Sequence, residues 1–187
     1  MRKNWAALAL TGMLCLTTFA GTQTVSAETA DSAKQVDIVF THDTHSHLNT
    51  FTTVVDDAEK EVGGFARINT LIQEQKAKNP DTLVIDGGDF SMGTLIQTVF
   101  ETQAAEIRML GYMGCDVTTL GNHEFDYRSK GLANMLNSAA ESGDDLPAMV
   151  VCNVDWESME AAGLSEGQQL IRDAFDEYGV SDYVVLE

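Results

Sequence analysis

Gly121-Asn122-His123-Glu124-Phe125-Asp126 follows the short apolar run Val117 to Leu120. An amide, an imidazole and two carboxylates therefore gather where a buried strand opens into a loop. Two earlier segments repeat that arrangement. Asp43-Thr44-His45 follows the alternating run Val36 to Phe40, and Gly87-Gly88-Asp89 follows Leu83-Val84-Ile85. Three strand ends each offer hard or borderline ligands, a pattern that suits two divalent cations clamping a phosphate.

Each segment can be read from its own chemistry. Asp43 and His45 are two apart, so strand alternation would place both on one face, where they can grip one ion. Asp89 follows a glycine pair that leaves room for a second ion, and a carboxylate there can bridge two metals through its two oxygens. Asn122 can offer a neutral oxygen to a metal. His123 can donate to a phosphoryl or leaving-group oxygen, and Asp126 can orient or charge His123. Taken singly, each is equally readable as a turn or a solvated loop; three such segments in order, each after an apolar strand, are not. Alternation sets His42 on the opposite face, as a structural or supporting group. His47 stays open. Glu124 is expected to point away from its neighbours and not to be a ligand.

The rest of the chain supplies the frame. Gln35 to Thr41 alternates with a period of two and reads as a strand. Ser46 to Glu61 reads as a polar loop. Gly63-Gly64 opens a helix from Phe65 to Lys78 with Phe65, Ile68, Leu71 and Ile72 on one face, stopped by Asn79-Pro80. Leu83 to Asp86 is a short strand. Further elements are expected as a helix over Thr98 to Leu110, a strand over Asp116 to Leu120, a helix over Ser129 to Ala140 and a strand over Ala148 to Asn153. Ser165-Glu166-Gly167-Gln168 has the form of a capping box and starts a helix that ends near Tyr178-Gly179. Tyr183 to Leu186 reads as a final strand. Alternating strands and helices define an α/β layer fold with its chemistry at the carboxyl ends of the strands. Trp156, Tyr178 and Tyr183 read as packing residues rather than a base-stacking platform.

The first 27 residues stand apart. Arg2 and Lys3 precede the apolar stretch Ala6 to Ala20, and Val25-Ser26-Ala27 offers small residues for cleavage, the order of a secretory signal peptide. Cys15 lies within that stretch, and Met13-Leu14 before it do not make a lipoprotein cleavage site. Residues 28–34 form a short leader and 35–187 the folded part, exported to the periplasm, cell wall or medium. The formal charge is −18, from 29 acidic and 11 basic residues. Such a surface is soluble and repels polyanions, which argues against long nucleic acid as a partner. It leaves open a small phosphate ester whose charge is met locally by metal ions. No later apolar run is long enough to span a bilayer. Cys115 and Cys152 lie in apolar context, read as buried free thiols, and are not spaced as a zinc site.

Asp43-Thr44-His45, Gly63-Gly64-Phe65-Ala66-Arg67, Asp86-Gly87-Gly88-Asp89 and Gly121 to Asp126 together resemble the calcineurin-like metallophosphoesterases, in particular the secreted bacterial 5'-nucleotidase and 2',3'-cyclic phosphodiesterase branch. The likeness runs from Val36 to Asp155. It implies a layered metallophosphoesterase β-sandwich flanked by helices. It implies two divalent ions: Asp43 and His45 on the first, Asp89 bridging, and Asn122 on the second. By the same resemblance His123 and Asp126 form the catalytic pair, Asn122 and His123 face the substrate, and activated water attacks phosphorus in line. Manganese, zinc, iron and cobalt suit these donors about equally. The expected substrate is a small phosphorylated molecule, a nucleotide or a related non-nucleotide ester. Members of the branch carry later Gly-His and Gly-His-x-His segments, whereas this chain has no histidine after His123. The expectation is therefore an N-terminal portion of the catalytic domain with part of the metal site and little activity alone.

Overall fold

The protein is described by a computed structural model over residues 35–186. The signal and leader segments expected over residues 1–34 lie outside that range. Four strands, β1 (Ile38–Thr41), β4 (Leu83–Asp86), β5 (Val117–Thr118) and β6 (Ala148–Met149), form one parallel sheet in that order. Between successive strands come the helices α1 (Phe65–Lys78), α2 (Phe100–Gln103), α3 (Ala105–Tyr112) and α4 (Arg128–Ala140). This is the expected α/β architecture, a parallel sheet flanked by helices.

Register decides which side chains are buried. Thr41 pairs with Asp86, Ile85 with Val117, and Thr118 with Met149. Val84, Asp86, Thr118 and Met149 are buried. They lie over a core made by Phe65 and Ile72 of α1, Ile107 and Leu110 of α3, and Leu132 and Leu136 of α4. On β1, Ile38 and Phe40 alternate with Val39 and stay exposed.

Several expected elements differ from those observed. The segment read as a polar loop contains a hairpin, β2 (Phe51–Val55) and β3 (Ala58–Val62). Asp56 and Asp57 turn it with φ of 53° and 59°, the left-handed pair of a tight two-residue hairpin. Almost every hairpin residue is exposed, so no apolar alternation marked it. The single helix expected over Thr98 to Leu110 is broken. A 3₁₀ turn spans Leu95–Val99, and buried Ala104, at φ 46° and ψ 41°, separates α2 from α3. The strand expected at Tyr183 to Leu186 does not form. Instead Ser181 bridges Val150 in parallel at the β6 edge. Its N–H donates to the Met149 carbonyl at 3.1 Å, and the Val151 N–H donates to the Ser181 carbonyl at 2.9 Å.

Helix α5 (Trp156–Ala162) was not expected; Asp155 caps it by accepting from the Ser158 N–H at 3.0 Å. Helix α6 (Glu166–Tyr178) begins at the capping box read from Ser165 and Gln168 and ends at Gly179. Trp156 meets Phe175 edge-on at 5.8 Å, with the Arg172 guanidinium 5.2 Å from the indole centre, which joins α5 to α6. Cys115 is buried, and burial pushes its thiol up to about 12. Cys152, in the segment that follows β6, is exposed, against expectation.

One buried charge conflicts with its surroundings. Glu106 on α3 is fully buried; the Ser46 hydroxyl donates to its Oε1 at 2.7 Å, while Oε2 meets no partner among the described residues. Burial raises its carboxyl above the ordinary value of 4.5. Folding therefore favours the neutral acid. That contribution is complete below the unfolded-state pKa and is lost as pH rises through the folded-state one. Urea unfolding midpoints are expected to fall from pH 5 to pH 8 in the native chain and to fall less in Glu106→Gln, which keeps the acceptor and removes the charge.

Candidate metal centre

Backbone pairing between β1 and β4 continues beyond the strands. The Gly87 N–H donates to the Thr41 carbonyl at 2.8 Å, Asp43 N–H to Gly88 at 3.0 Å, His45 N–H to Asp89 at 3.1 Å and Ser46 N–H to Phe90 at 2.7 Å. The two loops thus leave the sheet side by side. Asp86 anchors them at the strand ends: it accepts from the Thr41 hydroxyl at 2.7 Å, the Thr118 hydroxyl at 3.1 Å and the Gly88 N–H at 3.0 Å. Asp43, His45, Ser46 and Asp89 all take left-handed φ, between 44° and 54°. Such backbone is costly outside glycine and gathers at functional sites. It also corrects one expectation: Asp43 and His45 come together through a left-handed turn after β1, not through strand alternation.

The third segment approaches as bare backbone. Gly88, at φ +86°, lies so near Gly121 that a Cβ would come within 2.5 Å of the Gly121 nitrogen, and a Cβ on Gly121 would collide with the Asp89 carboxylate. Both glycines are needed for close approach. The His123 N–H then donates to Asp89 Oδ1 at 2.9 Å. The 3₁₀ turn His123–Tyr127 is held from behind by Tyr127, stacked on Phe100 at 4.2 Å.

These contacts bring His45, Asp89 and His123 together, each offering one ligand atom, all within 4.8 Å of one another. His45 and His123 meet edge to face at 5.0 Å. Asp43 Oδ1 lies 3.9 Å from His45 Nε2. Two atoms held ~2.1 Å from one ion are at most ~4.2 Å apart. His45, Asp89 and Asp43 therefore fit a divalent cation with small side-chain rotations, with His123 at its edge, and their imidazole and carboxylate donors suit a borderline transition metal. His45 Nδ1 donates to the Ser91 carbonyl at 3.1 Å, which leaves Nε2 for an ion. Asn122 precedes the 3₁₀ turn, exposed and with no capping hydrogen bond from its side chain, so its carboxamide stays available.

His123 Nδ1 is held by Asp126 Oδ2 at 2.7 Å, and that bond raises the imidazole above its ordinary pKa. Asp126 thus favours a charged ring whose Nε2–H remains for an incoming oxygen. His42 Nδ1 meets Asp43 Oδ2 at 2.7 Å and draws the Asp43 carboxyl below its usual range, the supporting place expected for it. His47, left open by the sequence, instead donates to the Thr44 carbonyl at 3.2 Å and lies 5.3 Å from the Phe51 ring. A cavity of about 320 Å³ opens beside Asp43 and His45, lined also by Gly63, Gly64 and Phe51. A larger one, about 640 Å³, is lined by Arg108, Tyr112 and Asp144 and contains none of the site residues.

Sequence reasoning missed Glu124. It does point away from the ligand cluster, as expected, but inward: it is fully buried and accepts from main-chain N–H groups of the loop after β4 and of its own turn. Its place between His123 and Phe125 in the turn was the only signal, and a lone acidic residue there reads equally as solvated.

Residues 36–181 match the model of the calcineurin-like phosphoesterase family. The chain belongs to that family, whose members use divalent metals. A 5'-nucleotidase-related protein of Glossina morsitans morsitans is 30% identical over 184 residues, covering 94% of this chain and 32% of that protein. A solved 5'-nucleotidase precursor from Thermus thermophilus superposes with a TM-score of 0.55 at 30% identity, over 64% of this chain and 22% of that one. The Haemophilus influenzae NAD nucleotidase gives 0.54 at 27% identity, over 63% and 20%. The chain spans a third or less of the length of each of these relatives.

Gly121→Ala is expected to destabilise the fold by about 1–3 kcal/mol, the usual cost of forcing a methyl into filled space. It should also weaken Mn²⁺ uptake, because the methyl displaces Asp89. Urea unfolding with an Mn²⁺ titration reads both effects.

Proposed function

We propose that this chain carries the metal-binding part of an exported hydrolase of phosphate esters, with nucleotide 5'-monoesters as the favoured substrate class. One observation carries the reading: three successive strand ends converge so that His45, Asp89 and His123 share a ligand-sized space, with Asp126 on the far nitrogen of His123. The names of the relatives, 5'-nucleotidases and an NAD nucleotidase, support the nucleotide assignment.

In this reading Asp43 and His45 would hold one divalent ion, Asp89 would serve it and a second, and the Asn122 carboxamide oxygen would complete this chain's share. Manganese, zinc, iron and cobalt all suit that donor set. Divalent ions bound there supply positive charge for the phosphate and acidify water. His123 directs its Nε2–H at a phosphoryl or leaving-group oxygen, and Asp126 keeps the ring oriented and charged for that donation. Asn122 and His123, adjacent on one turn, face the substrate.

Two substitutions separate these roles in the polypeptide that carries this chain. Asp89→Asn is expected to lose bound metal and turnover together. His123→Asn is expected to keep its metal and lose about 10²–10³ in kcat, the scale of removing one positioned donor. Metal analysis beside phosphate release from AMP and from a chromogenic phosphodiester reads both. A His123→Asn protein stripped of metal to the same extent as Asp89→Asn would refute the division.

A further inference from the structure

Two of the three loops of the candidate site are joined at one buried carboxylate. Glu124 Oε2 accepts from the Asp89 N–H at 3.1 Å and from the Gly121 N–H at 2.8 Å, and Oε1 accepts from the Ser91 N–H at 2.9 Å. Two donors belong to the loop after β4 and one to the turn after β5, so a single side chain spans both. These donors lie beyond the strands, where no sheet neighbour would satisfy them. Glu124 is fully buried. A carboxylate removed from water is costly unless its oxygens are filled by donors, and main-chain N–H groups aimed at an anion make strong, short bonds.

The donors are not incidental ones. Asp89 N–H belongs to the residue whose carboxylate faces the ligand cluster. Ser91 contributes the carbonyl that fixes His45 Nδ1. Gly121 immediately precedes Asn122. Glu124 therefore touches the backbone of Asp89 itself, of Ser91, which holds His45, and of Gly121, which precedes the Asn122-His123 pair, without reaching the cluster itself.

We infer that Glu124 is a positioning residue that assembles the metal centre before any ion arrives. It fixes the distance between the Asp89 loop and the Asn122-His123 turn, so that the ligand atoms stand within reach of one another in the metal-free protein. The catalytic meaning of this role rests on the proposed function; the clamp itself does not. Without it, each ion would have to supply the free energy of ordering two loops out of its binding energy. Glutamine at this position keeps one acceptor oxygen but turns an NH₂ group towards main-chain donors. Aspartate keeps the charge but is one methylene too short to span both loops.

Hydrogen exchange followed by NMR on the metal-free chain tests the clamp, and Mn²⁺ binding tests its consequence. In the native protein the amides of Asp89, Ser91 and Gly121 should exchange slowly although they lie outside helix and strand. In Glu124→Gln and Glu124→Asp these three should speed by about tenfold or more, while amides of α1 and α4 keep their protection and report an intact fold. Mn²⁺ affinity should fall about 10–100-fold in both, the range for losing an outer-shell partner. Rapid exchange of the three amides in the native metal-free chain would overturn the inference, even if neither variant folds. So would variants that bind Mn²⁺ as tightly as the native chain. Slow amides in a native chain that takes up no Mn²⁺ would refute the proposed function and uphold the clamp.

Discussion

The parallel ladder between β1 and β4 does not stop where the strands stop, and the rest of the site depends on that continuation. Four further backbone hydrogen bonds, from Gly87 to Ser46, carry the two chains outward in step. Ladder bonds at this point require loops that run together, yet the side chains must also turn towards a common centre. The conflict is met by left-handed backbone at Asp43, His45, Ser46 and Asp89. The strain is local; the buried core of α1, α3 and α4 beneath the sheet, with Asp86 pinning three strand ends, holds it in place. Sheet register, not loop flexibility, therefore determines which atoms meet.

Electrostatics set the second constraint. The chain carries a formal charge of −18, and the candidate site adds Asp43, Asp89 and Asp126 within one surface. A phosphate approaching that surface without cations would be repelled. Among the described residues of the cluster the groups able to carry positive charge are imidazoles, and the one held by Asp126 is favoured in its charged form. In the proposed function, a site built this way would admit a phosphate only after bound cations had reversed the local sign. The same acidic balance away from the site contributes solubility.

Much of this was legible in the residues. Strand-then-ligand segments pointed to the residues of the candidate cluster because apolar runs and metal-ligand residue types are both local signals. The capping box at Ser165 and Gln168 marked a helix start correctly, since both of its hydrogen bonds form within one turn. What the sequence hid was non-local or lacked an apolar face. The hairpin Phe51–Val62 carries no burial period, so alternation could not reveal it. Ala104 breaks a helix although alanine is the best of helix formers; tertiary packing of a fully buried methyl outweighs propensity there. Glu124 was set aside as a ligand because its side chain was expected to point away from its neighbours, and only the approach of the loop after β4 gives it two of its three donors.

The central claim is that three strand ends of this chain converge on a divalent-cation site. Anomalous diffraction from crystals of the protein grown with Mn²⁺ tests it most directly. The account predicts a peak bonded to His45 Nε2 and an Asp89 oxygen, with Asp43 in the same sphere, and no bond to Glu124. Mn²⁺ found only on exposed carboxylates elsewhere, with His45 and Asp89 unligated at saturating metal, would contradict it.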